Sequence, residues 1–184
     1  MDMKKQIKSA ALLEFDEKGY HGTGIRDVAA RAGCSLPTLY YYYKNKADMY
    51  TEVVCCSYEE LVERISGQIP EGLPLREVWF FNIMRRRALE PGERRVFRLA
   101  LRAMLGLDNA GEASERLLAF ERAHRQKDRD QVLSETGDPA FARLVLRVTE
   151  QMLQSAILED DGLSARDIRR EIDILFDAAP KSSA

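Results

Sequence analysis

The sequence has no run of about eighteen apolar residues, the length that a helix needs to cross a bilayer. Residues 1–8 are charged and no apolar stretch follows them, so we expect no secretory signal and a cytoplasmic location. Cysteine and histidine are scarce, with 3 and 2 residues, and Cys34, Cys55 and Cys56 lack the spacing of metal ligands. We therefore predict free thiols, no metal site and no membrane partner.

Sequence signals of enzymes are missing as well. There is no glycine-rich phosphate loop, no pairing of a nucleophile with histidine and no spacing typical of catalytic carboxylates. We therefore predict that the protein is not an enzyme and needs no cofactor.

No segment alternates with the period of a β-strand, and proline and glycine fall mainly at the joints between helical segments. The expected fold class is all-α.

Two short helices separated by a tight turn are predicted between residues 23 and 46. The apolar residues of the first recur on one helical face and are Ile25, Val28, Ala29 and Ala32. Gly33 is the residue type that ends helices in the left-handed conformation, and Ser35 with Pro37 suits the start of a second helix. Two helices joined in this way form a helix-turn-helix, whose second helix enters the DNA major groove. Cys34 lies in this turn, so its oxidation is one way to disturb DNA binding.

The second helix of the pair, predicted at residues 35–43, carries four consecutive tyrosines and is followed by lysines. Leu39 and Tyr43 are four residues apart on one face and are expected to pack inward. The other aromatic and basic side chains face outward, where hydroxyls and ammonium groups can bind phosphates. The residues predicted in this way to contact DNA are Tyr40, Tyr41, Tyr42, Lys44 and Lys46. The alternative is that the tyrosines form the wet edge of an aromatic core.

Residues 7–50 resemble the DNA-binding domain of the TetR (tetracycline-repressor-like) family of bacterial transcriptional regulators. The residues that carry the resemblance are Ile7, Ala10, Ala11, Phe15, Gly19, Tyr20, Thr23, Ile25 to Ala29, Ala32, Gly33, Ser35, Thr38 to Tyr42, Lys44 to Lys46 and Asp48. The resemblance implies a homodimer that binds double-stranded DNA at a palindromic operator, and a helical body that binds an effector. The phosphate contacts that it implies are Tyr40, Tyr42 and Lys46. The base contacts that it implies are Arg26, Leu36, Pro37 and Thr38.

Three residues depart from the family pattern. Glu14 stands where an apolar residue is usual, so the first helix is expected to be rotated or less well packed there. Gly24 stands where a serine or threonine usually caps the second helix, and Thr23 is the expected substitute for the lost phosphate contact. Tyr43 replaces the usual phenylalanine and adds a hydroxyl that needs water or a partner.

The predicted domains are a helix-turn-helix head at residues 1–46 and a helical body at residues 47–184. A long helix predicted at residues 46–66 joins them and is the expected lever between them. The further predicted helices are residues 74–90, 91–107, 139–159 and 164–178, together with one that follows a turn at residues 109–111 and carries Ala113, Leu117, Phe120 and His124. We expect that helix to end in the charged residues 125–130. Residues 1–50 carry a net charge of +2 and the rest −4, the signs expected for a DNA-binding head on an acidic body.

A ligand pocket is predicted among the middle helices of the body. Aromatic and methionine side chains suit an adaptable apolar cavity, and a few polar groups within the apolar stripes can orient a ligand. The predicted pocket residues are Tyr58, Trp79, Asn82, Phe97, Leu101, Met104, Phe120 and His124. The expected effector is a small apolar or amphipathic molecule, and an anionic or acyl one if arginines of residues 85–102 turn inward. The alternative is that the pocket residues are ordinary core.

The last two predicted helices have more apolar surface than one face requires. Apolar residues on two sides of a helix indicate burial on two sides. One side can pack on the body and the other on the same helices of a second copy, which gives a four-helix interface with twofold symmetry. Homodimerisation through residues 139–159 and 164–178 is therefore predicted. The alternative is an internal helix pair in a monomer.

Together these features predict a homodimeric transcriptional regulator with a three-helix head, a connecting long helix and a helical ligand-binding and dimerisation domain. We expect it to be a repressor that responds to a small molecule. The alternative is a DNA-binding dimer that lacks a small-molecule effector and is regulated by a protein partner.

Overall fold

The computed structural model describes residues 2–108, 110–158 and 162–178, which form nine α-helices and no strand. The helices are α1 (Met3–Gly22), α2 (Ile25–Arg31), α3 (Leu36–Tyr42), α4 (Lys46–Ser66), α5 (Leu75–Arg87), α6 (Pro91–Met104), α7 (Gly111–Thr136), α8 (Pro139–Leu158) and α9 (Ala165–Asp177). The expected all-α fold class is confirmed. The helix-turn-helix is formed by α2 and α3, and α4 has the bounds predicted for the long helix.

Contacts between residues divide the described chain into two compact units. The first contains residues 2–61 and 91–120, and so holds α1, α2, α3, most of α4, α6 and the start of α7. The second contains residues 62–90 and the described residues from 121 onward, with α5, α8, α9 and the remaining parts of α4 and α7. The functional boundary expected after residue 46 stays a prediction.

The core beneath the helix-turn-helix is built from α1. The apolar α1 residues in this core are Ile7, Ala10, Ala11 and Phe15. α1 packs against α2, and α2 packs against α3, whose Leu39 is fully buried. Tyr43 is the C-cap of α3 and is also buried, so the inward packing predicted for both residues is confirmed. Burial raises the pKa of Tyr43 to about 12, because the phenolate would lose its hydration.

Glu14 is part of the same core and is only 3% exposed. Its carboxylate lies 2.6 Å from Arg31 Nε and 2.8 Å from Lys18 Nζ. Arg31 also donates to both carboxylate oxygens of Glu17, at 3.1 and 2.6 Å. Two cations beside a buried carboxylate offset part of the cost of its desolvation. The expectation of a rotated or loosely packed first helix at Glu14 is therefore wrong.

α7 continues through the charged residues 125–130 to Thr136, beyond the point where we expected it to end. Within this segment Gln126 Nε2 donates to Asp130 Oδ1 at 2.8 Å, a pairing of side chains one helical turn apart. Val132, two residues after Asp130, is fully buried and fixes the helix to the core. The predicted helix end at residues 125–130 was therefore wrong.

Two other helices end earlier than predicted. α5 ends at Arg87 and α6 at Met104, each three residues before the predicted end. α8 is described to Leu158, and Glu159, the predicted last residue, lies outside the described residues.

The predicted starts of the last two helices are confirmed by their caps. Asp138 Oδ1 accepts from Ala140 N at 2.7 Å, with Pro139 as the first helical residue of α8. Ser164 and Asp167 form a capping box at the start of α9, in which each side chain accepts from the other's backbone N–H.

In the second unit α5 packs against α8 and α9. Their buried residues share one hydrophobic core with α7, and its larger members are Leu75, Trp79, Ile83, Val132, Phe141, Val145, Ile168, Ile172, Leu175 and Phe176. At the edge of this core Arg169 pairs with Glu77 and lies 3.7 Å from the centroid of the Phe80 ring. This contact joins α9 to α5.

None of the helices in the described ranges is both long and apolar enough to cross a membrane. Within those ranges there is no group of three or more acidic, histidine or cysteine side chains that could hold a metal ion.

The three cysteines are free thiols. Burial raises the pKa of the Cys55 thiol to about 12, so this thiol stays protonated at neutral pH.

We expect Glu14→Leu to keep or raise the midpoint of thermal unfolding, because it removes the buried charge together with the need for a partner. Arg31→Ala should lower the midpoint, because it takes one partner away from the buried carboxylate. In the Glu14→Leu background, Arg31→Ala should have a smaller effect. Circular dichroism during heating gives the unfolding midpoints of the wild type, the two single variants and the double variant. An equal effect of Arg31→Ala in both backgrounds would contradict the proposed ion pair.

Candidate nucleic-acid interface and ligand cavity

The turn between α2 and α3 sets how α3 is presented. Gly33 has a φ of +65°, the left-handed conformation predicted for it, and its N–H donates to Ala30 O at 3.1 Å. Ser35 caps α3, since its Oγ accepts from Thr38 N at 3.2 Å. Pro37 lies in the first turn of α3, where its missing N–H leaves no donor unpaired. The turn thus has the structure that its sequence predicts.

The exposed face of α3 is aromatic. Tyr41 is 82% exposed and Tyr40 is 52% exposed. Tyr42 is half-buried, and its ring packs edge-on against Tyr41 with the centroids 5.1 Å apart. Neighbouring aromatic rings held in water indicate a surface that binds a partner. Their hydroxyls can donate to phosphate oxygens.

The other residues predicted to contact DNA from this region are Arg26, Leu36, Pro37, Thr38 and Lys44. Arg26, Pro37 and Lys44 are exposed, whereas Leu36 and Thr38 are half-buried. The backbone N–H of Lys44 donates to Asp48 Oδ2 at 2.8 Å, which fixes the entry into α4. The Lys44 ammonium itself is left for solvent or a ligand.

Lys46 ties the start of α4 to the end of α1. Its Nζ donates to Thr23 O at 3.1 Å and to His21 O at 3.4 Å. The same ammonium lies 4.7 Å from the centroid of the Tyr20 ring. Because an ammonium has three donors, one N–H remains for a phosphate. Lys46 therefore has a structural role in addition to the DNA contact predicted for it.

Thr23 differs from the rest of the predicted DNA-binding set because its side chain is only 2% exposed. Its hydroxyl donates to Gly19 O at 2.8 Å and lies 2.9 Å from Glu14 O. These bonds close the end of α1, where Gly19 leaves the helical conformation with a φ of +70°. In this structure the hydroxyl is used within the fold, and the DNA contact expected of Thr23 stays a prediction.

Asp16 joins α1 to α6 within the first unit, a contact that the sequence analysis missed. Its carboxylate lies 3.1 Å from Arg95 Nε and 2.8 Å from Arg98 Nη2. Arg95 and Arg98 lie on one face of α6, three residues apart. The arginine spacing was visible in the sequence, but nothing in the sequence named the partner.

Asp108 makes a second contact between helices of the first unit, and it is 2% exposed. The Tyr50 hydroxyl donates to its Oδ2 at 2.6 Å, and Arg102 Nη2 donates to its Oδ1 at 2.7 Å. Burial and the bond to Asp108 both raise the pKa of Tyr50. This buried group fixes the end of α6 against α4 next to the head.

Five residues of the predicted pocket lie in the first unit and are Tyr58, Phe97, Leu101, Met104 and Phe120. Tyr58 packs edge-on against Phe97 and Phe120, with ring centroids 5.2 and 6.0 Å apart. Edge-on contacts at these distances are those of a packed aromatic cluster. The role of these residues as ligand contacts stays a prediction.

Trp79 and His124, two further predicted pocket residues, line one cavity of about 90 Å³ in the second unit. The apolar part of its wall includes Val62, Leu146 and Leu153, and the charged part includes Arg86, Glu121 and Asp128. Asn82, the remaining predicted pocket residue, accepts from Arg86 Nη1 through its Oδ1 at 2.6 Å. It therefore holds one residue of the cavity wall in place.

The indole of Trp79 has an unsatisfied donor. The residue is 5% exposed, and its Nε1 is buried without a hydrogen-bond partner among the residues that the structure describes. A buried N–H that lacks an acceptor costs about 1–3 kcal/mol. An acceptor held in the cavity that Trp79 lines would remove this cost.

Asp128 is the titratable residue of this cavity whose pKa is shifted. Burial raises the pKa of its carboxyl, because the charged form loses hydration, while neighbouring His124 and Arg86 act in the opposite direction. The net rise means that these cations do not fully compensate the burial. A further negative charge in the cavity would be disfavoured.

Residues 7–53 match the family model described as bacterial regulatory proteins of the tetR family. The amino-terminal helices are therefore similar to the DNA-binding helices of that family. The matched range begins in α1, ends in α4 and contains the whole helix-turn-helix. The resemblance of the head to the TetR family is therefore confirmed.

Two curated relatives match part of the chain. Over 59 residues the chain is 36% identical to IcaR of Staphylococcus aureus, a negative transcriptional regulator of the biofilm operon icaADBC, and the match covers 32% of each protein. Over 64 residues it is 33% identical to the transcriptional activator FasR of Mycolicibacterium smegmatis, covering 35% of this chain and 29% of FasR. The chain thus matches about a third of the length of these relatives.

The complete fold is similar to that of solved structures. The multidrug binding protein EbrR, in its complex with malachite green, superimposes with a TM-score of 0.70 at 19% sequence identity, covering 97% of this chain and 98% of EbrR. At that identity the likeness concerns the fold alone. It extends the likeness from the head to the helices of the second unit.

We expect Gly33→Ala to lower the free energy of unfolding by about 1–2 kcal/mol, because an L-residue is strained at the φ of +65°. No other side chain or backbone atom lies within 4 Å of a Cβ built there, so the loss is conformational and not steric. Gly92→Ala is the matched control, since Gly92 has equal space without a left-handed φ. Urea unfolding measures both, and equal losses would contradict the role of the turn.

Proposed function

We propose that the protein is a homodimeric transcriptional regulator that binds a palindromic operator through α3. The observation that carries the proposal is the pair of exposed side chains, Tyr40 and Tyr41, on a short helix that follows a left-handed glycine turn. The family match of residues 7–53 supports the same conclusion. Two copies of α3 would enter successive major grooves, about 34–36 Å apart.

The contacts divide into those that bind phosphate and those that read bases. Tyr40, Tyr42, Lys44 and the free donor of Lys46 would bind phosphates on either side of the groove, with Tyr41 against its wall. The base-reading residues of the proposal are Arg26, Leu36, Pro37 and Thr38. Arg26 and Thr38 have hydrogen-bonding groups for base edges, whereas Leu36 and Pro37 offer apolar contact to thymine methyl groups.

The proposed dimer interface is formed by α8 and α9. Leu144 of α8 is 47% exposed and Ile174 of α9 is 62% exposed, although the opposite sides of both helices are in the core. Large aliphatic side chains left in water on two helices that both pack against α5 are expected to pack against a second copy. A four-helix interface of this kind would present two heads to one operator.

We propose that regulation is repression and that a small molecule controls it. IcaR is a negative regulator, whereas FasR is an activator. The proposal of repression, as opposed to activation, therefore rests on the likeness to IcaR. The cavity at Trp79 supports a ligand site. Its wall includes Val62, which belongs to α4, and α4 begins with Lys46 in the head. Occupancy of the cavity would therefore act on a helix that also carries a DNA contact.

Lys44→Ala should weaken operator binding at all sequences and reduce the slope of log affinity against log salt by about 1, because one phosphate contact is lost. The operator is first selected from random duplexes with the wild-type protein. Fluorescence anisotropy at several salt concentrations then gives the slope. Failure of the selection to enrich a palindrome would contradict the proposed function.

Lys127→Ala is the matched control for this measurement. Lys127 is an exposed lysine of α7 in the second unit, so its removal changes the net charge equally without touching the head. Affinity and salt slope should stay at the wild-type values. An equal loss in both variants would mean that the protein attracts DNA by net charge and not through α3.

Leu144→Glu combined with Ile174→Glu should convert the dimer to a monomer, because two carboxylates per chain would have to be desolvated in the interface. Sedimentation velocity measures the change in mass. Leu107→Glu is the control, since Leu107 is a 66% exposed leucine of the first unit. A wild-type monomer, or a double variant that stays dimeric, would rule out this interface.

A further inference from the structure

A groove of about 290 Å³ between α7 and α8 is rich in arginine. Its arginines are Arg122, Arg125 and Arg129 from α7 and Arg143 and Arg147 from α8. The spacing of three, four and four residues places each set on one face of its helix. We call this surface the arginine groove.

Most of this positive charge is not matched by acids. Among the described residues, Arg122, Arg129, Arg143 and Arg147 make no hydrogen bond or ion pair. Only Arg125 is paired within the groove, with Glu150 at 3.3 Å. Four uncompensated guanidinium groups around one concave surface repel each other and attract an anion.

One other group of arginines is compensated by an acid of the fold. Arg95 and Arg98 of α6 are also close together, and they share the carboxylate of Asp16 at 3.1 and 2.8 Å. The arginine groove lacks such an internal partner for four of its five arginines, and an anionic ligand would supply the missing charge.

The arginine groove adjoins the cavity at Trp79. Arg125, Leu146 and Glu150 line both of them. A molecule bound in the groove can therefore extend one end into the cavity. Trp79 lines that cavity, and its buried Nε1 has no hydrogen-bond partner in the described chain, so an acceptor brought to it would satisfy the donor.

The sizes and charges of the two spaces decide which end of a ligand each one takes. The cavity of about 90 Å³ is smaller than the cavity of about 150 Å³ that accommodates benzene, so it takes a small group and not a ring. The wall contains three carboxylates, of Glu121, Asp128 and Glu150, and two guanidinium groups, of Arg86 and Arg125, so a further negative charge there is disfavoured. The body and the charge of the ligand belong in the arginine groove.

We propose that the second unit binds a small organic phosphate that carries a neutral hydrogen-bond acceptor at the end opposite the phosphate. The phosphate binds the guanidinium groups of the arginine groove, whose planar forks match its oxygens. A phosphate dianion compensates more of the unpaired charge than a carboxylate does. The acceptor binds Trp79 Nε1. The role of this ligand as the effector rests on the proposed function.

Isothermal titration calorimetry on the full chain tests the ligand class with four probes. We expect 4-nitrophenyl phosphate to bind at one site per chain, because it has both the phosphate and a neutral acceptor. Phenyl phosphate, which lacks the acceptor, and 4-nitrobenzoate, which has a carboxylate, should bind about tenfold more weakly. The neutral 4-nitroanisole should give no saturable heat. Equal binding of all three nitro compounds would overturn the proposal.

Substitutions locate the two contacts. Arg143→Gln with Arg147→Gln should weaken 4-nitrophenyl phosphate binding by about tenfold or more, whereas Arg85→Gln, an exposed arginine outside the groove, should not. Trp79→Phe should reduce the affinity for 4-nitrophenyl phosphate to that for phenyl phosphate, and leave the latter unchanged. Circular dichroism checks the fold of each variant. Wild-type affinity in the double arginine variant would overturn the proposed site.

The two proposals fail separately. Calorimetry uses protein without DNA, so the phosphate site can be present or absent whatever the operator assay gives. Absence of 4-nitrophenyl phosphate binding, with operator binding intact, would overturn this inference alone. Loss of operator selection by the wild-type protein would overturn the proposed function alone.

Discussion

The burial of Leu39 is the contact on which the presentation of α3 depends. α3 has 7 residues, and a helix of that length is not stable by itself in water. Leu39 supplies the missing stabilisation because it is fully buried. The left-handed Gly33 lets the chain return so that this residue meets α2. Once Leu39 points inward, the period of the helix leaves Tyr40 and Tyr41 at the surface. The tyrosine face is thus a consequence of one apolar anchor and one permissive turn.

The features that could be predicted from the sequence are those set by neighbouring residues. Caps such as Ser164 with Asp167 act over a single helical turn, and the positive φ of Gly33 is a property of one residue. The contacts that were missed join distant parts of the chain. Asp16 pairs with Arg95, 79 residues away, and no local pattern distinguishes that carboxylate from the others. Glu14 was misread for the same reason, because Arg31, which pairs with it, lies in the next helix, at the end of α2.

One error had a larger effect than the others. Because residues 125–130 are charged, we expected α7 to end there, and so their side chains were not assigned to a helical face. The helix continues to Thr136, and this continuation aligns Arg122 with Arg125 and Arg129. A segment of charged residues lacks the apolar periodicity by which helices are recognised in a sequence. Such a segment can still be helical when later residues of the same helix are buried in a core. The charged residues that misled the prediction of the helix end are the ones that lie beside and within the arginine groove.

The position of Trp79 has a practical consequence. The chain has 1 tryptophan, and its indole lies in the wall of the cavity with almost no exposed surface. Emission near 350 nm is a property of indoles in water, so this fluorophore should emit well to the blue of that wavelength. Any compound that enters the cavity changes the surroundings of the chain's one strong emitter. The unmodified protein can therefore report its own occupancy, and libraries of metabolites can be screened without a dye or a label.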